Sequence, residues 1–154
     1  MGAKKEEIPE VIDNLRRVFQ AINEYSKNVE RTTGLTGTQL WAMKLLAKAA
    51  PIRVSALAHK MYLHPATVVG ILDRLESKGM VTRTRSKEDR RAVEIELTEL
   101  GKEMVANAPE VAQAMLVKGL EALSDEQFFH VVEGMGHMAR ILGADHLAPQ
   151  PLHS

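Results

Sequence analysis

The sequence contains no cysteine, and that single absence excludes disulfides, thiolate metal sites, cysteine nucleophiles and thiol redox sensing. No apolar run approaches the ~20 residues that a membrane span needs. Met1 leads into a charged stretch instead of the apolar core of a secretion signal, so a cytoplasmic protein with no membrane partner is expected. Net charge is missing too, because 20 Lys and Arg are matched by 20 Asp and Glu. What remains is an ordinary globular composition, 45% hydrophobic and 26% charged over 154 residues, which suffices for one domain with its own core.

The charges are unevenly placed. Between Arg53 and Arg91 nine basic residues face only Asp73, Glu76, Glu88 and Asp89. That stretch is therefore +5 in a neutral chain, and the remainder is −5. Arg83, Arg85, Lys87, Arg90 and Arg91 crowd its end. A basic middle between acidic flanks is the footprint of a polyanion-binding unit carried on a scaffold with another task.

Hydrophobic spacing organises the rest. Ile8, Val11, Ile12, Leu15, Val18, Phe19, Ile22, Tyr25 and Val29 recur every three or four residues, predicting an amphipathic helix of about 24 residues, ~36 Å long. A helix of that length outreaches a core of this size, so it is expected to pack on a second chain. Thr36 or Thr38 caps the next helix, which carries Leu40, Trp41, Met43, Leu45 and Leu46 and must stop before Pro51. Ile52 to Val54 reads as a short extended piece, with Ser55 capping a brief helix after it. Tyr62 to His64 form a turn, and Pro65 opens a second short helix whose inner face is Val68, Ile71, Leu72 and Leu75 and whose end is Gly79. Two short helices across a tight turn make a helix-turn-helix.

Beyond it, residues 80–85 and the strictly alternating Val93-Glu94-Ile95-Glu96-Leu97 predict two strands joined by a charged hairpin loop. Thr98 caps a further helix in which Pro109 is interior; an interior proline costs about 3 kcal/mol, so a kink or break is expected near residues 105–108. Ser124-Asp125-Glu126-Gln127 is a capping box for a last helix ending near Gly143.

A helix-turn-helix followed directly by a charged hairpin is a winged helix. The expected class is mainly α with a small β-hairpin wing. Residues 36–98 form the winged core, 8–33 and 99–143 the dimerisation helices, and 144–154 a loose tail. The recognition helix would offer His64, Pro65, Ala66, Thr67, Val69, Gly70 and Arg74 to a major groove. Arg53 and Ser55 would contribute beside it, and Arg83, Arg85, Lys87, Asp89, Arg90 and Arg91 would form the wing contacts. An arginine at such a tip reads a narrow minor groove by its shape, and a neighbouring aspartate can orient its guanidinium. Tyr25, Trp41, Met43, Met104 and Met115 could line a crevice for a small ligand, methionine being adaptable.

The stretch LHPATVVGILDRLESKGMVTRTRSKEDRRAVEIELTELG, Leu63 to Gly101, resembles the winged core of the multiple-antibiotic-resistance regulators, the MarR family. The shared pieces are Asp73-Arg74-Leu75 with Gly79, Asp89-x-Arg91 in the wing, and Leu97-Thr98-x-x-Gly101. The resemblance implies a homodimer on a palindromic operator in double-stranded DNA, repression, and release by a small phenolic or other lipophilic ligand. It places the family's wing arginine at Arg91 and its orienting aspartate at Asp89. Without cysteine the chain falls outside the peroxide-sensing branch. No set of His, Asp or Glu converges as metal ligands, no nucleophile–base pair suggests an enzyme, and no cofactor is expected. The rival reading is a winged-helix adaptor that binds a protein partner, with an incidental charged wing.

Overall fold

The computed structural model describes residues 2–152. Its first helix, α1 (Gly2–Thr33), is 32 residues long and begins ahead of the expected start near Ile8. Pro9 lies inside it. The proline forgoes only one hydrogen bond, to the carbonyl of Lys5, and the Lys and Glu residues before it are good helix formers.

Of the two candidate caps for α2 (Gly37–Ala49), Thr36 is the one used. Its hydroxyl accepts from the Gln39 amide at 3.1 Å while the Gln39 side chain accepts from the Thr36 amide at 3.1 Å. This reciprocal pair satisfies two donors that a helix start leaves free. Leu40, Ala42, Met43 and Leu46 of α2 are buried and form the centre of the core.

β1 (Ile52–Arg53) runs directly into α3 (Val54–Met61). The expected cap at Ser55 is not used: Arg53 is the capping residue, without a side-chain bond, and Ser55 lies exposed in the first turn. The reason is strand pairing, which holds Ile52 opposite Ile95 and Arg53 opposite Glu94 and so fixes where the chain can begin to coil. α4 (Pro65–Ser77) follows, with Pro65 in its first turn, and Gly79 leaves it at φ +76°. β2 (Val81–Arg85) and β3 (Val93–Leu97) pair antiparallel with Arg85 opposite Val93. The sheet has three strands in the order β1-β3-β2, one more than the hairpin expected from alternation.

Thr98 caps α5 (Glu99–Ala106), accepting from the Gly101 amide at 3.0 Å and donating to the Gly79 carbonyl at 2.6 Å. The break at Pro109 is complete: residues 107–111 are non-helical and α6 (Ala112–Ala122) starts anew. The Ser124 capping box opens α7 (Asp125–Ile141). One core holds α2, α3, α4 and the sheet together, with Val29 of α1 and Val111 added to it. α7 buries none of its residues. Of the segment expected as a loose tail, residues 153–154 lie outside the described residues; residues 144–152 form no helix or strand but are tied down near their end, where the Leu152 carbonyl accepts from Gln113 Nε2 at 2.9 Å.

Candidate nucleic-acid interface

Val68, Ile71, Leu72 and Leu75 press α4 into the core, and the helical repeat then turns Pro65, Ala66, Val69 and Gly70 outward, all of them exposed. Thr67 is half-buried and Arg74 exposed. His64 caps the helix, its Nδ1 accepting from the Ala66 amide at 3.1 Å. An accepting Nδ1 leaves the ring proton on Nε2, so the imidazole presents a donor to anything beyond the helix start. This end of α4 is narrow and low in side-chain bulk, which permits close approach to a groove floor.

The wing owes its shape to Ser86. That residue is buried, its amide donates to the Ala92 carbonyl at 2.9 Å, and its hydroxyl accepts from the amides of Glu88 and Asp89 at 3.2 and 3.3 Å. The tip is thereby a fixed turn. Asp89 Oδ1 accepts from the backbone amide of Arg91 at 3.0 Å, and its other oxygen lies 3.8 Å from the Arg53 guanidinium. The aspartate thus shapes the backbone at the tip and ties it to β1; the guanidinium it faces is that of Arg53, where the sequence suggested that of Arg91. Arg85 donates to the Arg90 carbonyl at 2.8 Å. Lys87, Arg90 and Arg91 are exposed and enter no ion pair among the described residues.

Arg83, expected among the DNA contacts, is committed elsewhere. Its guanidinium donates to Asp73 at 2.6 Å and to Glu76 at 3.0 and 3.4 Å. These bonds hold the Glu76 carboxyl below its ordinary range and raise the Arg83 guanidinium further. Arg83 therefore clamps β2 to α4 and sets the angle between helix and wing. Sequence reasoning missed Asp73 and Glu76 in this role, although their three-residue spacing on one helix face was a usable signal.

The residues considered for a ligand crevice separate into two groups. Tyr25 and Met115 line an apolar groove of about 420 Å³ between α1 and α6, together with Val18, Ile22, Leu116 and Leu120. Trp41 and Met43 belong to the core and Met104 packs against it; none of the three lines that groove.

Comparison with known proteins fits this geometry. The model of the MarR family matches residues 35–93, from just before α2 to the first residue of β3. The chain is 38% identical to the HTH-type transcriptional regulator YfiV of Bacillus subtilis, a match covering 68% of this chain and 65%, just under two thirds, of that protein. It is 26% identical to the HTH-type transcriptional repressor MdtR of the same organism, over 86% of this chain and 85% of the relative. FabT of Streptococcus pneumoniae shares the fold with a TM-score of 0.59 over 88% of this chain and 96% of that one, at 22% identity. With α4 and its wing arranged as described, residues 35–93 match the MarR family, and the chain as a whole shares the winged-helix fold of FabT.

Proposed function

We propose that the protein is a dimeric transcriptional repressor that binds a palindromic operator in duplex DNA and is released by a small lipophilic ligand. The observation that carries the reading is the pairing of an exposed, low-bulk helix start with a rigid wing whose Lys87, Arg90 and Arg91 pair with no carboxylate among the described residues. α4 enters the major groove, and the wing cations follow the adjacent minor groove and phosphates. Pro65, Ala66, Val69 and Gly70 give apolar contact and close approach, while His64, Thr67 and Arg74 supply hydrogen bonds and charge. Arg53 and Ser55, exposed beside them, lie toward the backbone, and Arg85 and Asp89 hold the tip. FabT, of the same fold, is known in complex with DNA, and MdtR is a repressor.

The exposed apolar residues of α1 and α7, among them Val11, Phe19, Phe129, Val132 and Met135, supply the dimer surface. Twofold symmetry then sets two α4 helices about 34–36 Å apart, one helical turn of DNA. A lipophilic ligand in the α1–α6 groove, against Tyr25 and Met115, would favour a dimer with another spacing. Its effect is bounded by its differential affinity for the two arrangements.

The test is titration with duplex DNA from upstream of the protein's own gene and with a scrambled duplex, each at two salt concentrations. Affinity for the first should fall roughly a thousandfold between ~50 and ~200 mM salt and exceed that for the second throughout. Binding that is weak, salt-insensitive and equal for both duplexes would favour the protein-adaptor reading instead.

A further inference from the structure

Beyond α7 the chain reverses at Gly143, where φ is +65°, and the Leu147 amide donates to the Ala144 carbonyl at 3.0 Å. Residues 148–152 then return to the start of α2. There the Leu152 carbonyl accepts from Gln113 Nε2 at 2.9 Å and from the Thr38 hydroxyl at 3.4 Å, and the same Gln113 nitrogen lies 3.3 Å from Thr38 Oγ1. Gln113 is 9% exposed and Thr38 1%, so one backbone carbonyl completes a buried polar knot between α6, α2 and the returning chain. Immediately before it, Gln150 and Pro151 share a cavity of about 200 Å³ with Thr67, Gly70 and Arg74 of α4.

Those three residues, at spacings of three and four, occupy one edge of the exposed face of α4, whereas Asp73 and Glu76 hold the other edge against Arg83. The returning segment therefore lies along the edge left open by the wing. Arg74, the one cation lining that cavity, is the group that would meet a phosphate. We propose that residues 148–152 are an autoinhibitory strap: seated, they occupy the edge of α4 that a DNA backbone would follow, and they lift when DNA binds. This rests on the DNA-binding reading above. The strap is built to lift, because among the described residues its polar hold is a single carbonyl and its one large apolar side chain, Leu152, remains exposed. Once it leaves, water reaches the Gln113 amide and the Thr38 hydroxyl, so neither is left dry without a partner.

The cysteine-free chain makes the test clean. A spin label on Gln150→Cys should broaden the amide signals of Thr67 and Gly70 in the free protein and release them when duplex DNA saturates it at low salt. Broadening that persists in the DNA complex overturns the proposal, as does its absence from the free protein. Failure of the unsubstituted chain to bind any duplex overturns the DNA reading itself, a result the free-protein spectrum does not touch. Gln113→Glu replaces the donor with a carboxylate that repels the Leu152 carbonyl. If about nine in ten molecules hold the strap seated, its release should tighten DNA binding about tenfold at fixed salt. A released strap with unchanged or weaker DNA binding would show that it braces α4 instead of blocking it, and would end the proposal. Thr38→Val, which removes the second donor with little change in shape, makes the same comparison if the glutamate variant does not fold.

Discussion

Four arginines lie between residues 83 and 91, and their partners give them different work. Arg83 is consumed by Asp73 and Glu76, Arg85 by the carbonyl at the wing tip, while Arg90 and Arg91 face outward without an ion pair among the described residues. Arg91→Ala should therefore weaken DNA binding at fixed salt by about tenfold, the 1–3 kcal/mol typical of a groove-reading arginine; unchanged affinity in a gel-shift titration would remove it from the interface. Lys87→Ala should cost less but flatten the logarithmic salt dependence by about one unit.

The Arg83 clamp gives a pH signature of its own. Because folding lowers the Glu76 pKa beneath its ordinary 4.5, its contribution is complete above that value and fades as the pH falls through the lowered one. Glu76→Gln should consequently melt earlier than the parent at neutral pH, with the gap closing in acid. A gap that stays constant on acidification would mean that the carboxylate's charge is not what holds the clamp.

Among the elements, β2, β3 and α5 meet closely at Gly101. A Cβ at Gly101 would collide with the Met80 backbone carbonyl, which also accepts from the Thr98 amide at 3.0 Å, so neither partner can yield. Gly101→Ala should destabilise the fold by about 2–3 kcal/mol, the upper range for overpacking, and thermal denaturation measures it directly. Local signals foretold most elements: the Thr98 cap, the Ser124 box, Pro65 at a helix start, the alternation of β3 and the break at Pro109. β1 was legible only as a short extended piece, because two residues carry no period and its pairing belongs to β3. The extra turns ahead of Ile8 escaped because that stretch has no hydrophobic face to repeat.

At the scale of the molecule, α7 is a helix without a buried residue, and Phe129, Val132 and Met135 are 58%, 51% and 63% exposed. Burial of one phenylalanine is worth about 1.5–3 kcal/mol, and a twofold interface counts it twice. Phe129→Asp should therefore raise the dimer dissociation constant at least about a hundredfold in sedimentation, with the melting of the winged core little affected. A parent chain that sediments as a monomer at micromolar concentration would overturn the proposed dimer.

The sequence by itself determined what repeats locally: the helices, the alternating strand, the caps, the basic middle and the family that its central stretch resembles. Those are set by neighbours a few residues apart. Only the tertiary structure decided which cations are spoken for and where residues 148–152 lie. Arg83 meets carboxylates 7 and 10 residues away, Gln113 bonds a carbonyl 39 residues on, and Thr38 meets the same carbonyl across 114 residues. A side chain's charge is written in its letter, but whether that charge is free depends on partners that folding alone brings within 3 or 4 Å.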